Sequence, residues 1–396
     1  MTSYLKNKSE YDCSGCGACS VRCPKQCIRM VKQQDRFLYP EIDTSRCISC
    51  HLCEQVCPYE NGAPLKQPAK TYAAVSKNAP DVANSSSGGL FSLIAGAVLD
   101  GGGVVYGAAL DENLVCRHIR ADNRADLKHL QKSKYVQSVS YDVYPEIIEM
   151  LKDGRKVLFS GTACQVAGLK NLAKGIDERL FTIDVACHGV PSQDNFHSYI
   201  QYLEKKHGGP VCAVDFRYKT PGRWGHYFAY EIEREDRQQF QCAPYKSPYY
   251  YLFLHGFIFR KSCYRCIYAQ MERVGDLTLA DFWGLQQEDV PFDISNGVSA
   301  VAVNTEKGKA LLGQICENAD LKEIDRELLA QFNQPFREPC REPACRDELV
   351  KKIISEGYTD SREYMSSSTY FKESLKAMIP GSVKTRIRRM ASKEKR

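Results

Sequence analysis

Between residues 13 and 57 the chain repeats one arrangement, Cys-x-x-Cys-x-x-Cys-x-x-x-Cys-Pro. It occurs first as Cys13, Cys16, Cys19 and Cys23 before Pro24, then as Cys47, Cys50, Cys53 and Cys57 before Pro58. Three thiolates spaced in this way wrap one face of an iron-sulfur cube in a tight, amide-rich loop, and the fourth arrives from elsewhere. In two-cluster ferredoxins the last cysteine of each run crosses to the other cluster. The pattern therefore predicts one 4Fe-4S cluster on Cys13, Cys16, Cys19 and Cys57 and a second on Cys47, Cys50, Cys53 and Cys23. Structural zinc wants paired Cys-x-x-Cys ligands, and a disulfide framework wants an oxidising compartment, so neither matches this number and spacing. Cys27 is left over and reads as a small buried apolar group.

The rest of the composition is that of a globular protein of two or three domains, with 396 residues, 43% hydrophobic and 26% charged. The opening MTSYLKNKSE carries lysines with no apolar segment behind them, which predicts no secretory signal and a reducing, cytoplasmic setting. Nineteen cysteines in such a setting imply metal. The longest apolar stretch, residues 90–110, reaches membrane-spanning length only by including Asp100 and three glycines. It reads instead as a helix ending at Asp100, a glycine turn and a strand. The formal net charge of +6 is concentrated in residues 384–396, where seven basic residues meet only Glu394. With no basic groove elsewhere, nucleic acid is not an expected partner.

The fold class expected is α+β or α/β. A bacterial-type ferredoxin domain over residues 1–65 precedes a mixed α/β domain, with a linker at 61–70. Residues 71–208 alternate strand-like and helix-like runs, residues 209–345 are richer in strand patterns, and residues 346–396 form a helical, basic tail. A module of about sixty residues buries little apolar surface, so clusters should supply much of its folding energy.

Four constellations lie outside the ferredoxin segment. Residues 85–89 (SSSGG) precede an apolar helix, which suits either a phosphate-binding turn or an ordinary serine cap. Residues 160–165 (SGTACQ) form a small-residue loop between a strand and a helix, again a cofactor-facing arrangement. Cys187-His188-Gly189 ends a strand, and Cys263-x-x-Cys266 precedes another. Together with Cys164 these make four cysteines, enough to close a third iron-sulfur cluster. The Cys-x-x-Cys alone also suits a redox disulfide or half a zinc site. His188 suits a proton donor or a hydrogen bond to a cluster. The aromatic tract 245–259 suits a substrate wall, a partner surface or plain core.

These residues resemble the beta subunits of coenzyme F420 hydrogenases and dehydrogenases. The likeness rests on residues 86–92 (SSGGLFS), 134–138 (KYVQS), 160–168 (SGTACQVAG), 187–192 (CHGVPS) and 262–284, all in the family's order. The resemblance implies an FAD-binding domain with its own 4Fe-4S cluster. In it Ser86, Ser87, Gly88 and Gly89 approach the flavin phosphates, while Lys134, Gly161, Thr162 and Gln165 line the flavin site. Cys164, Cys187, Cys263 and Cys266 hold the cluster, and His188 is the catalytic candidate. Ala163 departs from the family, which more often has proline there.

The function so implied is an oxidoreductase coupling one-electron transfer through 4Fe-4S clusters to hydride chemistry at FAD. Its electron partner would be ferredoxin, another redox protein or the deazaflavin F420, and its acceptor a small organic molecule or the deazaflavin. The alternative is a non-catalytic electron-transfer subunit serving a separate enzyme, a reading that goes with relatives found in settings of surface polysaccharide synthesis. The tail from Lys384, with a narrow apolar stripe of Val383, Ile387 and Met390, suits contact with a membrane or an acidic partner, or a plain solvated terminus.

Overall fold

The computed structural model describes residues 3–62, 65–220, 224–225, 227–234, 237–379 and 383. The cysteine repeats fold into a module with one two-stranded antiparallel sheet, β1 (Ile28–Lys32) against β2 (Leu38–Ile42). Each repeat makes the same left-handed turn before a short helix, at Gly17 (φ 71°) in the first and His51 (φ 57°) in the second. Apolar packing within the module is slight: Tyr4, Phe37 and Tyr39 form one cluster, and Cys16, Ala18 and Val56 another.

The body of the protein is built on β3 (Lys70–Ser76), β4 (Val104–Leu110), β5 (Cys116–Ala121), β6 (Val157–Thr162) and β7 (Leu180–Val185). Further along come β8 (Val211–Asp215), β9 (Phe228–Ile232) and β10 (Gln238–Cys242), then β11 (Leu277–Asp281), β12 (Ser299–Val303) and β13 (Ala319–Glu323). Eight of these form one sheet in the order β13-β3-β12-β11-β7-β6-β4-β5, drawing strands from both 71–208 and 209–345. Strands β4, β6, β7 and β11 run parallel, and β12 lies antiparallel between β11 and β3.

Both faces of this sheet are covered, which is why its central strands read as nearly unbroken apolar runs. The Leu90–Asp100 helix lays Leu90, Ile94 and Val98 on one face, against Val105, Leu158 and Ile183. The Tyr144–Lys152 and Ala163–Leu172 helices cover the other, against Val104, Phe159 and Leu180. Residues 90–110 thus divide into helix, turn and strand as expected. Among the described residues no helix is long and apolar enough to cross a membrane.

The second sheet, β10-β9-β8, packs with the Gln193–His207 and Pro248–Leu254 helices around Tyr199, Phe216, Phe228, Tyr249 and Tyr250. The aromatic tract is therefore largely core: Tyr249 and Tyr250 are fully buried. The ferredoxin module rests on the Ala163–Leu172 helix through Val56, Ala18 and Leu172. Part of the linker is fastened as well, because Lys66 and Arg273 exchange backbone hydrogen bonds of 2.8 and 2.9 Å. In the C-terminal segment two helices follow, Arg346–Glu356 and Ser367–Met378. Ile387, Met390 and the basic residues from Lys384 lie outside the described residues.

Candidate iron-sulfur and cofactor site

The parallel strands deliver their carboxyl ends to one edge of the sheet, where ligands of open α/β sheets bind. Thr162 and Cys164 follow β6, and Cys187 and His188 follow β7. Cys263 and Cys266 arrive on the turn that includes Lys261–Arg265. All four cysteines line one cavity of about 620 Å³ counted to its open mouth, together with Thr162, His188, Tyr268, Arg273 and Cys340. Ser14 and Tyr59 complete its wall from the ferredoxin module.

Burial holds these thiols protonated. It pushes Cys187 up to about 12, with Cys164 and Cys266 adding to the rise, and Cys266 up to about 11, with Cys164 adding. Two buried guanidinium groups oppose this: Arg273 favours the thiolates of Cys187 and Cys266, and Arg260 that of Cys164. Arg273 is itself fixed to the buried carboxylate of Asp184 at 2.8 Å. Arg260 donates to Cys13 O at 2.6 Å and Leu38 O at 2.9 Å, so it sits between module and body.

One hydroxyl in this cavity, Tyr268 OH, is buried without a hydrogen-bond partner, while the Ser14 hydroxyl bonds to Cys164 and favours its thiolate. A donor without an acceptor, beside four cysteine sulfurs, fits a cluster whose sulfides accept hydrogen bonds. Among the described residues no three His, Cys, Asp or Glu side chains close around a single ion. The four body cysteines line a cavity that would suit a multi-iron cube.

A second cavity in the module brings Cys23 from the first repeat together with Cys47, Cys50 and Cys53 from the second. Cys27 lines it too, buried as expected, with its Sγ 3.3 Å from that of Cys23. Cys57 belongs to the other group: its neighbouring thiols include Cys13, and both Cys16 and Cys19 feel Cys57 and Cys13. Cys47, Cys50 and Ile48 are exposed at the surface.

The groups expected around a flavin are mostly engaged by the protein itself. Ser87 Oγ donates to Val298 O, and Gly88 N donates to Ser299 Oγ at 3.0 Å. Ser86 Oγ lies 3.0 Å from Ser133 Oγ, and Gly89 takes the left-handed turn (φ 86°) that starts the Leu90–Asp100 helix. Lys134 Nζ donates to His129 O and Gln131 O, and burial lowers it to about 8. Thr162 and Gln165 form a capping box, and Gln165 Nε2 donates onward to Ser138 O at 3.1 Å. Gly161 sits in the same turn, beside His118 and Gln165. His188 Nε2 lies 3.2 Å from Leu254 O, its ring edge-on to Phe259, and burial lowers its pKa.

Residues not singled out from the sequence gather at the 85–89 loop. Arg217 Nη2 and Trp224 Nε1 both donate to Ser86 O, at 3.0 and 3.1 Å. Lys219 Nζ donates to Val82 O at 2.8 Å, and burial lowers it to about 7. Lys132 pairs with Asp215 nearby in the same region, and Arg217 pairs with Asp281. No short motif marks these side chains, and Arg217, Lys219 and Trp224 come from more than a hundred residues away. Ser14 carried a signal of position alone, lying inside the first cysteine loop.

A thiol-lined cavity in a ferredoxin-like module, joined to an α/β body with further cysteines at its strand ends, defines an iron-sulfur electron-transfer protein. Residues 12–61 match the 4Fe-4S dicluster domain, and residues 154–327 match the C-terminal region of the coenzyme F420 hydrogenase/dehydrogenase beta subunits. The chain thus joins a region similar to the C-terminal part of these beta subunits to an N-terminal 4Fe-4S dicluster domain. One of the subunits of the F(420)H(2) dehydrogenase of Methanosarcina mazei is 24% identical over 197 residues, covering 47% of this chain and 54% of that protein. The match thus spans about half the length of the curated relative. A protein of the F420-reducing NiFe hydrogenase complex of Methanosarcina barkeri superposes with a TM-score of 0.46 at 15% identity, over 76% of this chain and 92% of that one.

Proposed function

We propose that the chain is an FAD- and iron-sulfur-dependent oxidoreductase in which electrons cross from the ferredoxin module to a third 4Fe-4S cluster in the body. When bound, the clusters carry single electrons and FAD pairs them into a hydride, delivered to or taken from a deazaflavin or a small organic acceptor. The observation that carries this reading is the shared wall: Ser14 and Tyr59 of the module close the cavity lined by Cys164, Cys187, Cys263 and Cys266. Arg260, bonded to the backbone of Cys13 and electrostatically coupled to Cys263, would hold the two sites in fixed relation. Lys132, Arg217 and Lys219, themselves bonded to Asp215, Asp281 and the loop carbonyls, would add positive charge beside dinucleotide phosphates at the 85–89 loop. His188, kept neutral by burial, is the candidate for handling a proton beside Cys187.

A second reading, an electron-transfer subunit serving a separate enzyme, draws on the exposure of Cys47, Cys50 and Ile48, which leaves the outer cluster site open to a redox partner. Iron, sulfide and flavin measured per chain after anaerobic purification test the main proposal. About twelve irons and one FAD support it, while about eight irons remove the third cluster. Turnover of reduced deazaflavin or ferredoxin with organic acceptors by the isolated chain separates the two readings.

A further inference from the structure

The Ser367–Met378 helix carries an unusual face. Phe371, Leu375 and Met378 recur at helical spacing and are 64%, 47% and 82% exposed, and Val383 beyond the helix is 45% exposed. Most of the other large apolar side chains of the body are buried in its cores. The outward aim is fixed from a flank about 100° round the helix from Phe371, where Tyr370 packs edge-on against Tyr245 at 5.3 Å. Ser366 caps the helix by accepting from Thr369 N. Lys372 and Lys376 stand about 100° and 140° round the helix from Phe371, beside the stripe. From Ser367 to Arg396 the sequence holds nine basic residues and two acidic ones.

Neither feature alone holds a protein on a bilayer, but an apolar insertion combined with a polybasic segment does. Both occur here in one continuous stretch of chain. The helix is 12 residues long, too short to span a membrane and long enough to lie in its interface. We propose that the Ser367–Met378 helix is a peripheral anchor for an anionic lipid surface. In it Phe371, Leu375 and Met378 enter the acyl boundary, the two lysines extend to the headgroups, and the basic tail supplies long-range attraction. The anchor is independent of which substrate the redox site takes.

The test is cosedimentation of the full chain with phosphatidylglycerol-containing vesicles and with pure phosphatidylcholine vesicles, at low and high salt. The protein should pellet with the anionic vesicles and be released by salt. Replacing Phe371, Leu375 and Met378 together by serine should reduce partitioning at least tenfold. Because all three are exposed, the fold should survive, as an unchanged iron content and circular dichroism spectrum would record. A second variant, with the basic residues of 384–396 changed to glutamine, should lose the salt-sensitive part. Equal pelleting of the wild type and the serine variant would overturn the proposal. So would absence of vesicle binding together with a dimer that the serine variant abolishes, since that result assigns the stripe to a second copy of the chain.

Discussion

Gly168 lies one turn beyond Cys164 on the helix that supports the ferredoxin module, and a side chain there would meet Cys16, a proposed cluster ligand, directly. A Cβ at this position would stand 3.0 Å from Cys16 Sγ, 3.2 Å from Cys16 Cβ and 3.4 Å from Ala18 Cβ. Carbon contacts are best at roughly 3.5–4.0 Å, so Cys16 must retreat by a few tenths of an ångström. Two effects then compete in Gly168→Ala. The helix gains roughly 0.5–1 kcal/mol from losing a glycine in its interior. Overpacking against a neighbour that cannot move costs about 1–3 kcal/mol.

Which effect wins depends on iron. Without metal, Cys16 is one thiol on a short loop and yields, so the alanine should be neutral or stabilising by about 0.5 kcal/mol. With a cluster on Cys16 the sulfur is held, and the variant should lose about 1–2 kcal/mol net. The assay is anaerobic urea unfolding of wild type and variant, each both iron-loaded and stripped, followed by circular dichroism. A sign reversal between the loaded and stripped pairs is expected. A change of the same sign and size in both would refute the placement of Cys16 as a cluster ligand against this helix.

Two other expectations follow from the same region. His118 is buried between Ser138 Oγ and Ser160 O, and burial lowers its pKa to about 4. Its unfolded form binds protons first as pH falls, so stability should drop between the ordinary histidine range and pH 4. From pH 7 to pH 5 the loss is about 2 kcal/mol, and His118→Gln should lack it in urea titrations at the two pH values. Removing the orphaned hydroxyl, by Tyr268→Phe, should delete a hydrogen bond of roughly 1 kcal/mol to the proposed third cluster, about 40 mV for one electron. Redox titration followed by electron paramagnetic resonance should show that potential falling while the outer ferredoxin cluster stays unchanged; a uniform shift, or none, would dissociate this hydroxyl from the site.

Much of the architecture could be read along the chain because its signals are local. The cysteine repeats carry their ligand spacing within eleven residues each, and the unbroken apolar character of VVYGAAL and SAVAV follows from burial on both faces of a sheet. The edge strands β5 and β10 escaped because RHIRA and QQFQC are largely polar, and only pairing with β4 and β9 makes them strands. The grouping of the body cysteines was legible because their type and strand-end positions mark them, and Cys164 and Cys187 do line one cavity. Neighbours that only folding brings near were not legible. Tyr59 and Tyr268, two hundred residues apart, meet at one cavity wall. Conversely, Lys134 spends its ammonium group on the carbonyls of His129 and Gln131, a local capping role its motif did not disclose.

The walls contributed by Ser14 and Tyr59 also govern how such a chain is assembled from parts. A tethered carrier that swings between donor and acceptor must be able to leave its dock; here departure would strip two side chains from the chamber wall and widen its mouth. The joint therefore keeps the module in place instead of letting it swing. Exchanging the module for that of a relative would succeed only if the newcomer brought the same two closing side chains.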